Sequence, residues 1–189
     1  MKFTALALPG VYEVDIAPAG DERGFFARTF CAEEFAAAGL PRDFVQHSIS
    51  YNRRAGTLRG LHYQTAPLEA KLVRCLGGAA FDVIVDLRRG TPSYGQWCAV
   101  ELNAGRRNAV FVPKGCAHGF QTLADDTELL YLIDTPFVAG AAAGLCWNDP
   151  ALAIPWPIAD PPGATPHCLR AHRRVGGLRA TDVKRDIPF

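Results

Sequence analysis

Apolar residues in this chain come in short runs cut by Gly, Pro, Asn and Asp, and the runs favour β-branched and aromatic side chains. "GVYEVDIA", "KLVRCL", "AAFDVIVDL", "QWCAVEL", "NAVFVP" and "TELLYLID" each read as a strand. The clearest is Phe81 to Leu87, where Phe81, Val83, Val85 and Leu87 alternate with Asp82, Ile84 and Asp86. That period of two predicts one face in a core and the other face elsewhere. A single helix stands out, "AEEFAAAG" (Ala32 to Gly39), with acids in its first turn and Pro41 just beyond its closing glycine. Regularly spaced strands with one small helix predict an antiparallel sandwich or barrel.

At 189 residues, 49% of them hydrophobic, the chain is long enough to bury a full core and fits one domain over residues 1–189. Its net charge is +1 with both signs interspersed, so no basic face is offered to a nucleic-acid polymer or an acidic membrane surface. A small-molecule partner is the expectation. The opening "MKFTALALPGVYEVD" holds too short an apolar run for a secretory segment, and nothing later approaches the roughly 18 apolar residues of a spanning helix, so the expected location is the cytoplasm. Six cysteines without CxxC spacing predict buried thiols and no disulfides.

The chemistry concentrates in "TLRGLHYQTAPLEAKLVRCLGG" (Thr57 to Gly78), which sets Arg59, His62 and Lys71 in an otherwise apolar stretch. In an extended segment His62 and Gln64 share a face, while Arg59 joins them only if Gly60 breaks the alternation with a bulge. Further on, "PKGCAHGF" predicts His118 in a Pro/Gly turn at the mouth of a barrel.

Six segments together, "DERGFFARTF", "LRGLHYQ", "KLVR", "FDVIVDLRRGTPSYG", "PKGCAHGF" and "WNDPALAIPWP", resemble in order and spacing the dTDP-4-dehydrorhamnose 3,5-epimerase family over roughly residues 1 to 160. The resemblance implies an all-β, antiparallel jelly-roll sandwich of cupin type with a few short helices. It also implies a homodimer, no metal or other cofactor, and inversion of carbons beside the 4-keto group of a nucleotide-linked deoxysugar. His62 would be the base, Tyr131 the acid on the opposite face, and Lys71 the neighbour of the keto oxygen, with Asp82 orienting Lys71. Arg59 and His118 would meet the diphosphate, and Gln46 and Phe137 would line the nucleotide site. Arg23 and Phe26 would reach the nucleotide from the neighbouring subunit, although Arg23 also has Asp21 and Glu22 nearby as ion-pair partners.

The likeness frays in the tail, about residues 160 to 189. The family's acidic partner of the base falls here on "TPHC", which puts Cys168 in the dyad position, and a thiol cannot stabilise imidazolium as a carboxylate does. Ser48, Arg28, Leu132 and "VAGAAAG" also depart from the family's pattern on the nucleotide side. Two other readings remain open at this stage. One is a metal-dependent cupin enzyme using His62, Gln64, Glu69 and His118; the other is a nucleotide-sugar-binding paralogue that has lost catalysis.

Overall fold

A computed structural model describes residues 1–159, 161–162, 173–175 and 178–181, the last two stretches as backbone. In chain order the first elements are β1 (Lys2–Ala5), β2 (Tyr12–Asp15), β3 (Ala19–Asp21), β4 (Gly24–Phe26) and α1 (Ala32–Ala37). The central strands are β5 (Gln46–Asn52), β6 (Leu58–Gln64), β7 (Lys71–Gly77), β8 (Ala79–Asp86) and β9 (Trp97–Asn103). Then come β10 (Ala109–Val112), β11 (Cys116–Thr122), β12 (Thr127–Ile133), a turn of 3-10 helix (Ala139–Ala141), β13 (Ala142–Leu145), β14 (Arg173–Val175) and β15 (Leu178–Thr181).

These strands form two facing antiparallel sheets. One runs β1-β2-β10-β7-β12-β5 and the other β14-β15-β13-β6-β11-β8-β9, while β3 and β4 pair only with each other. Consecutive strands mostly cross from one sheet to the other, as in a jelly roll, and the expected cupin-type sandwich is the fold observed. No helix among the described residues is long and apolar enough to cross a membrane.

The predicted helix forms two residues shorter than its pattern, as α1. Gly39 ends it in the left-handed conformation (φ 73°), and the Leu40 amide closes back on the Phe35 carbonyl at 2.9 Å. Phe35 is fully buried, ringed by edge-on contacts with Phe3, Phe30, Phe44 and Phe111, which seats the helix on the outer face of the first sheet.

The β8 alternation has an outcome that differs from its prediction: both faces of this strand are buried. Ile84 packs between the sheets with Val73, Phe120 and Leu129. Val83 and Val85 instead pack outward against Leu145, Leu152 and Ile154, because the chain after β13 wraps over the second sheet. The two aspartates therefore face the inter-sheet space, both fully buried. Polar residues on a strand usually look to water; here they look into the sandwich, which is where the site lies.

The five cysteines among the described residues, Cys31, Cys75, Cys98, Cys116 and Cys146, are all free, and only Cys31 is not buried. Cys168 lies outside the described residues.

Candidate active site

One end of the inter-sheet space is filled with side chains; the other opens into a cavity of about 460 Å³, a size suited to a small molecule. Arg59 and His62 enter it from β6, His118 from β11, Lys71 from β7 and Tyr131 from β12. The five residues that sequence reading gathered thus share one chamber, with groups on both of its walls.

A bulge at Gly60 makes this possible. His118 lies opposite His62, but Phe120 lies opposite Arg59, so three steps on β6 match two on β11. Gly60 takes φ 120°, and a β-carbon there would sit 2.5 Å from the Gly119 α-carbon. Only glycine fits so close an approach of two backbones. The extra residue turns Arg59 onto the face of His62, as the glycine in "LRGLH" predicts.

His62 is held neutral. Burial first, then the nearby charges of Lys71, His118 and Arg59, pull its pKa down to about 4. Tyr131 is also neutral: burial and the charge of Asp82 raise its phenol well above the ordinary value. A neutral imidazole on one sheet can accept a proton, and a neutral phenol on the other can give one. Lys71 is buried and donates to the Glu69 carboxylate at 2.9 Å. Arg59 donates through Nε to Asn52 Oδ1 at 2.8 Å, and Asn52 is fixed in turn by donating to the Thr127 carbonyl.

Two expectations need correction. His118 is not in the turn, which ends at Gly115; it lies inside β11, 4% exposed. Nor does Asp82 hold Lys71. Both Asp82 oxygens reach His118 Nε2, at 2.8 and 3.0 Å, and the His118 ring meets Tyr131 edge-on at 5.8 Å. The physical reason is the face: Asp82 and His118 lie on adjacent strands of one sheet, whereas Lys71 is on the opposite sheet, where Glu69 is two residues away. Burial pushes the Asp82 carboxyl up and His118 opposes the shift. With Nε2–H donated to Asp82, His118 Nδ1 can donate to an anion only when the ring is protonated.

Gln46 and Phe137 come together at the cavity edge, where the Phe137 amide donates to Gln46 Oε1 at 3.1 Å. Gln64, by contrast, is committed to backbone: its Nε2 donates to the Pro67 carbonyl and its Oε1 accepts from the Val138 amide. That use of both ends leaves it poorly suited to be a metal ligand. Arg23 and Phe26 do not reach the cavity of their own chain. They stand on the β3–β4 hairpin, Arg23 paired with Asp21 at 2.6 Å and Phe26 80% exposed. Across the sheet, the register Thr181–Gly144–His62 leaves only β13 between β15 and the strand that carries His62.

Sequence reading missed Glu69 as the partner of Lys71 and Asn52 as the anchor of Arg59. The i, i+2 spacing of Glu69 and Lys71 at a strand edge was a usable signal. For Asn52 there was none, since its role depends on strand pairing.

A jelly roll holding a basic, acid–base-equipped chamber open to solvent defines a small-molecule enzyme of the cupin class. A sequence profile for dTDP-4-dehydrorhamnose 3,5-epimerase matches residues 5–171. The dTDP-4-dehydrorhamnose 3,5-epimerase of Pseudomonas aeruginosa is 43% identical over 163 residues, 86% of this chain and 90% of that protein. The crystal structure of the Bacillus anthracis enzyme of that name, with TDP and PPi bound, superposes with a TM-score of 0.82 at 39% identity, covering 85% of this chain and 92% of that one. A Legionella pneumophila enzyme in complex with dTDP-4-keto-L-rhamnose gives 0.80 at 35% identity, covering 84% and 85%. This chain belongs to the dTDP-4-dehydrorhamnose 3,5-epimerase family, a family of isomerases.

Proposed function

We propose that this protein inverts C3, C5 or both in a dTDP-type nucleotide-linked 4-keto-6-deoxyhexose, as a step of deoxysugar biosynthesis. The observation that carries the reading is the placement of a neutral imidazole and a neutral phenol on opposite walls of one chamber. The ketone acidifies the neighbouring C–H bond; His62 takes that proton, and the Lys71 ammonium, steadied by Glu69, stabilises the enolate oxygen. Tyr131 then protonates the carbon from the other side. No oxidation state changes, and the reading calls for no cofactor.

Arg59 and His118 bind the diphosphate, with the His118 ring fixed in place by its 2.8 Å contact with Asp82. Bound diphosphate also offsets the positive charges around His62, so the base strengthens when substrate is present. Gln46 and Phe137 line the nucleotide end. Arg23 and Phe26 complete the site in a homodimer, each hairpin serving the partner's cavity, which accounts for the exposure of Phe26 on β4 and of Arg23 in the turn. A phosphorylated sugar substrate is an intracellular metabolite, and the cytoplasm is the place of action.

Incubation in deuterium oxide with dTDP-, CDP-, GDP- and UDP-linked 4-keto sugars, followed by mass spectrometry and NMR, tests this. Deuterium entering C3 or C5 with inversion supports the reading. Binding of a sugar nucleotide without any exchange would leave a binding paralogue in its place.

A further inference from the structure

Lys71 and Arg74 belong to the same strand, three residues apart, and face opposite ways. Lys71 enters the chamber, whereas Arg74 is turned outward yet only 4% exposed. No carboxylate lies within ion-pair distance of Arg74 among the described residues, and burial pulls its pKa down to about 10 against the opposing charge of Asp15. Its guanidinium donates instead to two backbone carbonyls, those of Arg107 and, at 3.1 Å, Thr29. Burying a cation without a charged partner is costly, so what those two carbonyls hold becomes the question.

Both lead to the β3–β4 hairpin. Thr29 is three residues beyond the end of β4, at the hairpin's root. Arg107 sits after β9 in the left-handed conformation (φ 57°), its amide bound to the Asn103 carbonyl at 2.8 Å, and its own guanidinium lies over the Phe25 ring, 4.6 Å from the centroid. One buried cation therefore pins the root of the hairpin from behind and the residue that clamps its face.

We propose that Arg74 is a positioning residue for the hairpin, setting the angle at which Arg23 and Phe26 are presented to the nucleotide in the partner's cavity. The proposal rests on the reading that the hairpin works across the dimer. Arg74 itself touches no substrate and acts only through the arm, so its effect belongs to the neighbouring active site.

Steady-state kinetics of Arg74→Gln should show KM for the nucleotide sugar raised about tenfold with kcat within about twofold, since displacing a binding group by an ångström is enough for such losses. Arg74→Lys should recover part of it. Arg107→Ala, which leaves the buried cation in place, should raise KM by a smaller factor, and it keeps the test available if Arg74→Gln folds poorly. In an Arg23→Ala/Phe26→Ala background, Arg74→Gln should add nothing further; additive effects there would overturn the proposal while leaving the hairpin reading intact. If the Arg23→Ala/Phe26→Ala protein keeps a normal KM, the hairpin reading itself falls and the proposal with it. Mixed dimers give the direct result. When an Arg74→Gln subunit is paired with a His62→Ala subunit, the competent cavity receives an intact arm and should show a normal KM. A KM still raised in that dimer would place the action of Arg74 in its own subunit and overturn the proposal.

Discussion

The two ends of the inter-sheet space are built from the same strands and do opposite things. On β11, Cys116 packs in the closed end, and His118, two residues on, lines the chamber. At the closed end Leu8, Val11, Cys98 and Val112 exclude water and carry stability. At the open end charged and polar side chains such as Lys71 and Arg59 are held by specific partners and face the space open to a ligand. A two-residue step along a strand moves from a region that stabilises the fold to one that uses it.

The strongest break in this comparison comes from His62, the proposed base. His62→Ala should abolish both deuterium exchange and inversion, a loss of about 10²–10⁴ in rate, with little change in thermal stability. Tyr131→Phe should separate the two events, keeping exchange while blocking inversion; NMR of the recovered sugar reads both. At the closed end the pattern should reverse: Ile84→Ala should cost about 2–5 kcal/mol in denaturant unfolding, with kcat and KM preserved in the folded fraction.

Partners at the open end come next. Glu69→Gln leaves the Lys71 ammonium without its charged partner, and should lower kcat by roughly tenfold with little effect on KM, given about 1.5–3 kcal/mol for a charged hydrogen bond. Arg59→Ala should show the complementary split, raising KM by a factor of about ten or more for the same reason. A collapse of kcat at constant KM in Arg59→Ala would remove Arg59 from the diphosphate.

The smallest effect concerns pH. His62 has a pKa of about 4 in the folded protein against an ordinary 6.5. Between these values the unfolded chain binds the proton and the folded one does not, so stability falls as pH drops from about 6.5 towards 4, by at most about 1.4 kcal/mol per unit. Denaturant unfolding at several pH values should give a shallower slope for His62→Asn than for the parent protein. In the kinetics, bound diphosphate should place the acid limb of kcat above that of kcat/KM.

Much of the architecture was legible in the chain. The period of β8, the helix signal before Gly39 and the glycine in "LRGLH" each encode a local constraint, and each produced the element or bulge it implied, with the helix ending two residues early. The side chains that gather in the chamber were legible through resemblance. What stayed hidden was which strands pair and what packs over them. Which residue Asp82 would meet depended on the antiparallel register of β8 and β11, and the burial of both faces of β8 depended on a wrap by residues 145–156. The hairpin's lack of contact with its own cavity is likewise a matter of tertiary placement that no local pattern announces.

The meeting of Gly60 with Gly119 also bears on how such a site can change over generations. Arg59, His62 and His118 all hang from that one backbone crossing, so a side chain gained at either glycine would shift the three together. Variation can be accepted more readily at cavity-lining positions that only add or remove side-chain bulk, such as Ser48, Ala142 and Ala143. New substrates are therefore within reach of single substitutions at the periphery, while the reaction itself is inherited as a block.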